Sequence, residues 1–224
     1  MTDDKPTIIN EATSGIAQAT EKAFQFLDAV LTSPVKEFTG ILTDKVKFWR
    51  FKNQVDVILK AQEFLKSKGI KPRKIPVKDL SNLLEFASFE EDEKMQSRWA
   101  SLLANAANPN NRYDICSIFS QILNQLSSQE VAILDYVFSK CFWKTDRDRP
   151  FLERADIIRL KFTEYQVTLL IFDNLLRLRL IEEEPPQIKF DPDENYEDQT
   201  SIVNSSKIRL SEFGVEFVRQ SRFE

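Results

Sequence analysis

The stretch SFEEDEKMQSRWASLLANAAN, Ser88 to Asn108, decides how the rest of the chain is read. Met95, Trp99, Leu102, Leu103 and Ala106 recur at spacings of three and four residues, which puts them on one stripe of a helix. Asn108 precedes Pro109, and a residue in that position is pushed out of helical geometry, so the helix ends there. At its start Ser88 and Glu91 have the spacing of a capping box, in which each side chain accepts from the other residue's backbone N–H. Glu90, Glu91, Asp92 and Glu93 then lie at the positive end of the helix dipole. Ala100, Ala104 and Ala107 leave room for a second helix to approach closely, and Trp99 is the large anchor, worth about 3 kcal/mol or more on truncation. Ser88, Glu91, Trp99, Leu102 and Leu103 are therefore the expected structural anchors.

The composition around this helix points to a folded, mainly α-helical protein. Hydrophobic residues make up 42% and aromatic residues 11% of the 224, enough to fill the cores of two small units. With 4 glycines and little alternation of β-branched residues, helices joined by short loops are favoured over sheets. The formal charge of −4 gives no overall basic field to attract nucleic acid. Cys116 and Cys141 lie far apart in apolar helical patterns and read as buried thiols of a reducing compartment. No secretory pattern opens the chain and no apolar run reaches the ~18 residues of a spanning helix. The expected location is cytoplasmic, with peripheral contact to the inner membrane left open.

Residues 1–9 read as a flexible N-terminus and residues 10–126 as a helical domain. Ile16, Ala19, Ala23, Phe26, Leu27 and Val30 form one face of a helix from Asn10 to Leu31. Ser33 and Pro34 open a second, with Phe38, Ile41, Leu42 and Val46 on its face. Phe48, Trp49 and Phe51 then place aromatics on more than one side. Val55, Ile58, Leu59 and Leu65 carry the pattern on to Gly69, a helix-ending glycine after Lys66 and Lys68. Lys71 to Lys78, with Pro72 and Pro76, is a basic linker, and further helices are expected at Lys78–Ala87 and Tyr113–Leu126.

Residues 127–224 change character. A helix begins at Ser128, and two more follow at Leu152–Leu160 and Thr163–Leu178. A strand in LRLIEEE, an acidic loop from Pro185 to about Thr200, and a strand and helix in SKIRLSEFGVEFVRQ complete the order. That order is the one of a winged helix with a small β-sheet, and IRLSEFGVEFV resembles the ending of many such domains.

Several motifs also occur in a fixed order: FWRFKN at Phe48–Asn53, the helix ending at Gly69, Pro72 and Pro76, LLEFASFEEDEKMQSRWASLLANAANP, and SQILNQLSSQEVAILDYV. Together they resemble the Abi-alpha (abortive infection alpha) family of bacterial proteins, whose members carry a similar acidic run leading into a Trp-Ala-Leu-Leu-Ala-Asn helix. The resemblance spans roughly residues 40 to 180. It implies a setting, defence against phage, and brings no reaction and no catalytic residues with it.

The residues themselves narrow the chemistry. There is no histidine, which excludes Ser-His-Asp and Cys-His catalysis and any histidine-ligated metal. The glycines Gly15, Gly40, Gly69 and Gly214 are isolated, so no phosphate loop is present. Glu90 to Glu93 point around a helix rather than at one ion. Asp191, Asp193, Asn195 and Glu197 alternate as in a calcium loop, but Tyr196 stands where glycine is needed and Ile202 where a bidentate acid is needed. No catalytic residue, cofactor, metal site or small-molecule substrate is inferred.

Charge divides the chain. Ser127–Glu224 carries 14 Lys+Arg against 19 Asp+Glu. The helix that would enter the major groove opens with Glu164, Tyr165, Gln166 and Thr168 and has no base there, so this half is built wrongly for DNA. Lys45–Leu126 carries 14 Lys+Arg against 9 Asp+Glu. Within it Lys45, Lys47, Trp49, Arg50, Lys71, Arg73 and Lys74 form a candidate interaction face, suited to an acidic protein, a phosphate backbone or anionic headgroups, or else an ordinary solvated face. The expectation is a non-enzymatic component of antiphage defence that acts by binding a protein partner or a second copy of itself. Two alternatives stand beside it: a membrane-perturbing effector that exposes Phe24, Phe26, Phe38, Phe48, Trp49 and Phe51, and a nucleic-acid-binding regulator.

Overall fold

The structure is a computed structural model and describes residues 5–30, 45–111, 116–141, 149–190, 200–203 and 205–222. Two compact units result, one running up to Gln125 and rejoined by the chain from Gln220 on, the other Leu126–Arg219.

The first unit contains α1 (Lys5–Val30), α2 (Lys45–Ser67), α3 (Val77–Ala87), α4 (Glu93–Ala107) and α5 (Cys116–Leu123). Helix α1 starts five residues before the expected Asn10, with Pro6 in its first turn, where the missing N–H leaves no helical bond unmade. The expected helix from Ser33 falls on residues 31–44, outside the described residues, up to Lys45. Ala23, Phe26, Leu27 and Val30 of α1 are buried, as are Val55, Ile58, Ala61 and Leu65 of α2. Helix α2 closes through Ile70 N–H to Leu65 O (2.9 Å) and Gly69 N–H to Lys66 O (3.0 Å). This pair of bonds needs a left-handed residue, and Gly69 supplies it at φ 64°.

Helix α4 packs against α2, α3 and α5. The single apolar stripe expected from its sequence is only part of what is covered. Trp99, Leu102 and Leu103 are buried, and so are Ala100, Ala104 and Ala107 on the intervening sides. Small residues between large ones let neighbours close in on most of its circumference, which makes α4 the axis of the unit.

The second unit contains α6 (Ser128–Cys141), β1 (Leu152–Glu153), α7 (Arg154–Arg159), α8 (Tyr165–Arg177), β2 (Ile181–Glu183), β3 (Gln187–Phe190), β4 (Thr200–Val203), β5 (Lys207–Leu210) and α9 (Glu212–Gln220), whose last residue belongs to the first unit. Strand β5 is central in an antiparallel sheet of order β1-β5-β2, with Leu152 opposite Ile208 and Ile181 opposite Leu210. Ile208 and Leu210 point into the core, while Arg209 pairs with Glu182 directly across the ladder (2.6 Å). The chain is thus mostly helical with a small antiparallel sheet in its C-terminal part.

Three expectations change here. Leu152–Leu160 is a two-residue strand followed by a short helix, because Leu152 and Glu153 pair with β5. LRLIEEE becomes strand only from Ile181, because Leu178 to Leu180 are used to end α8: Leu180 N–H bonds to Leu175 O (2.9 Å), with Arg179 at φ 56°. The acidic loop from Pro185 is flanked by a ladder, since β3 and β4 pair from Gln187–Val203 to Phe190–Thr200. The calcium-like residues Asp191, Asp193, Asn195 and Glu197 lie outside the described residues.

Helix α9 locks onto this sheet through one residue. Ser211 Oγ accepts from Gly214 N–H (2.9 Å), and Ser211 N–H donates to Leu180 O (3.1 Å). A Cβ at Gly214 would sit 1.9 Å from Leu180 O, so only glycine allows the close approach.

Candidate functional site

The candidate basic and aromatic face is best judged cation by cation. Arg50, on α2, pairs with Glu85, donates through Nε to Ser88 Oγ (3.0 Å), and lies over the Phe89 ring with its guanidinium carbon 4.1 Å from the centroid. Three residues on, buried Asn53 donates to Ser88 O and Glu90 O, each at 3.0 Å. One turn of α2 therefore holds the whole connection between α3 and α4. Trp49 beside it is half-buried.

That connection corrects the expected helix start. Ser88 is buried, and its hydroxyl donates to Glu85 O (2.6 Å), so it finishes α3. The N-cap of α4 is Asp92, whose Oδ1 accepts from Lys94 N–H (2.8 Å) and Met95 N–H (3.0 Å). Glu91 is exposed and caps nothing in the described geometry. A short carboxylate three residues before Met95, the first apolar position, satisfies two orphan donors with little loss of freedom, and it outcompetes a Ser-x-x-Glu spacing four residues upstream. The reciprocal box occurs instead at α6. Ser127 N–H and Oγ donate to Glu130 Oε2 (2.6 and 2.8 Å), and Glu130 N–H returns to Ser127 Oγ (3.3 Å).

The linker cations are used in the same internal way. Arg73 donates from its backbone to Ala107 O (2.7 Å) and from Nε to Ala106 O (2.9 Å), which closes the C-terminus of α4. Lys74 Nζ donates to Asp28 O (2.7 Å), and Ile75 N–H to Val30 O (2.7 Å), which closes α1. Cations at carboxyl ends meet both the unpaired carbonyls and the negative end of the dipole. Lys71 is exposed, and the side chains of Lys45 and Lys47 lie outside the described residues. The face is therefore not one assembly: Arg50, Arg73 and Lys74 go to three different helix ends. Exposed lysines remain at Lys52, Lys66, Lys68, Lys71 and Lys78.

Of the expected anchors in α4, Trp99, Leu102 and Leu103 are 2% exposed or less. Trp99 packs on Phe86 with ring centroids 6.4 Å apart, and its Nε1 has no acceptor among the described residues. Phe26 is buried in α1, and Phe24 and Phe51 are half-buried. The side chains of Phe38 and Phe48 lie outside the described residues.

The second unit carries the surface that sequence reasoning missed. Thr168, Ile171, Phe172 and Leu175 bury one side of α8. Thr168 belongs to that side, with Oγ1 donating to Glu164 O (3.0 Å), so it is no part of an outward first turn. The opposite side exposes Tyr165 (61%), Val167, Leu169 and Leu170 (67%), and Leu160 is exposed just before it. Asn174 on α8 donates to Glu130 of the α6 cap (2.6 Å). The signal was present in the letters YQVTLLIFDNLLR, where apolar residues exceed what one buried stripe uses.

Among the described residues, Glu184, next to β2, is the carboxylate whose titration is shifted. The Ser205 hydroxyl donates to it (2.6 Å) and Lys207 Nζ lies 3.4 Å away, which together hold its carboxyl below the usual range. Among the described residues, no group of three His, Cys, Asp or Glu side chains could hold a metal ion. Among the same residues, no helix is long and apolar enough to cross a membrane.

No curated protein and no solved structure matches the chain. The model of the family described as abortive infection alpha matches residues 52–221, which takes in α4, the linker, the capping turns and all of the second unit. A match over that much of the sequence makes the chain a member of the abortive infection alpha family.

Proposed function

We propose that this protein is a non-enzymatic component of abortive infection, acting through protein–protein contact made by its second unit. Family membership supplies the abortive-infection role. The contact is carried by one observation, the exposed apolar side of α8 with Tyr165, Leu169 and Leu170. We also take the second unit to be a winged helix, a reading supported by its helices followed by the antiparallel order β1-β5-β2. In that arrangement α8 is the helix that would meet a major groove. Its first turn presents Glu164 and large apolar groups and no base, the exposed Arg177 standing only at its far end, which suits a protein surface better than a phosphate backbone.

The test is plating efficiency of a phage restricted by the wild-type chain. Replacing Tyr165 and Leu170 with serine is expected to abolish restriction while leaving the circular dichroism and melting temperature unchanged. If those variants still restrict, and replacement of Lys66, Lys68 and Lys71 does not, docking through α8 is wrong and an anionic ligand of the first unit takes its place.

A further inference from the structure

The exposed side of α8 has a symmetry that its composition alone does not reveal. Leu169 and Leu170 lie at its middle. Gln166 stands three residues before the pair and Asp173 three residues after it, and both are exposed. At 3.6 residues per turn these four side chains share one stripe, with the polar ends about 10 Å apart. Turning the helix end for end about the point between the two leucines exchanges Gln166 with Asp173.

We propose that α8 is a self-docking surface through which two copies of this chain pair antiparallel. An isologous contact requires every residue to suit its own image across the axis. Here the leucines of both copies meet at the centre, and the Gln166 amide of each copy donates to the Asp173 carboxylate of the other. No like charges face one another along the stripe, and Tyr165 widens the apolar area on one flank. Other occupants fit less well. A bilayer would have to receive the Asp173 carboxylate within the apolar stripe. A nucleic acid would meet Glu164 and Asp173 and no base in the first turn. The proposal rests on the docking reading above and narrows its partner to a second copy.

One helix face is a small interface, so the dimer is weak, with a dissociation constant on the order of 10–100 μM. Sedimentation of the full chain from about 1 to about 300 μM is expected to show the mass rising from one copy toward two. Leu170→Glu places two carboxylates at the axis and is expected to leave a monomer throughout. Gln166→Glu sets two acids opposite each other and should weaken pairing at least tenfold, and adding Asp173→Lys to it should restore pairing, since each new Glu then faces a new Lys. Gln166 and Asp173 are surface positions, so this cycle reads the contact even if Leu170→Glu misfolds. A monomer at every concentration, or a dimer indifferent to the charge swap, overturns self-docking. A monomeric wild type whose restriction is still abolished by Leu170→Ser would leave α8 as a docking surface for a different protein, which separates the two readings.

Discussion

The linker at Arg73–Ile75 and helix α8 reverse what their compositions suggest. The linker is basic and proline-rich, the profile of a solvated or ligand-binding loop, yet Arg73 and Lys74 turn back to close α4 and α1. Helix α8 is apolar, the profile of a core element, yet Tyr165 and Leu170 stand out in solvent. Composition tells which groups are available. Where unpaired carbonyls and free apolar surface lie tells which way those groups face.

Four outcomes would break or sharpen that contrast, and they descend in size. The largest belongs to the core the linker closes. Trp99→Ala should lower unfolding free energy by about 3–5 kcal/mol in a denaturant titration. Trp99→Phe should cost much less, because it also removes a buried N–H that has no acceptor among the described residues. Next comes Gly214→Ala, which forces a methyl group against Leu180 O. It should destabilise the second unit by about 2–3 kcal/mol or more, seen as a lowered melting transition.

The third is the direct comparison. Arg73→Ala should cost about 1–2 kcal/mol of stability, by leaving the Ala106 carbonyl unpaired while the backbone bond to Ala107 O is kept, without weakening affinity for a partner. Leu170→Ser should show the opposite, with stability within about 0.5 kcal/mol of wild type and partner binding abolished. If Arg73→Ala removed binding at unchanged stability, the linker would be the functional surface after all.

The smallest effect concerns pH. Glu184 has a depressed carboxyl value in the folded state, so its contribution is present above the unfolded value and is lost as pH falls through the folded one. Glu184→Gln should therefore be slightly less stable than wild type at neutral pH and lack the slight loss of stability that wild type shows as pH falls below the ordinary glutamate range. Equal acid sensitivity in wild type and variant would remove the Ser205 and Lys207 pairing from the account.

Much of this architecture was legible in the letters. Periodicity placed α4 and its stripe, Gly69 marked the end of α2, and IRLSEFG marked the close of the second unit, because each follows from local geometry. Caps were harder to assign. Ser88, Asp92 and Ser127 are all sound N-cap residues, and only the position of the neighbouring helix, with Arg50 and Asn53 reaching across, decides that Ser88 ends a helix while Asp92 begins one. Strands β1, β3 and β4 were missed because two to four residues carry too little alternation to register. The face of α8 was missed for another reason: an amphipathic pattern shows that one side is buried and leaves the fate of a second apolar side to tertiary context. Arg179 makes the same point in the backbone, since nothing in its identity announces the left-handed geometry that Gly69 announces in α2.

The return of the chain at Gln220 bears on synthesis. Asn105 of α4 donates to Gln220 O (2.8 Å), and Arg98 donates to Ser221 Oγ (3.2 Å), so the first unit includes residues translated after all of Leu126–Arg219. A nascent first unit must wait several seconds, at roughly 5–20 residues added per second, before those partners leave the ribosome. Until then the bonds from Asn105 and Arg98 to Gln220 and Ser221 are unmade, and a message cut short within the second unit yields a helical bundle whose central helix is left incomplete. For a member of this family, completion of the first unit is thus tied to translation of the whole of the second.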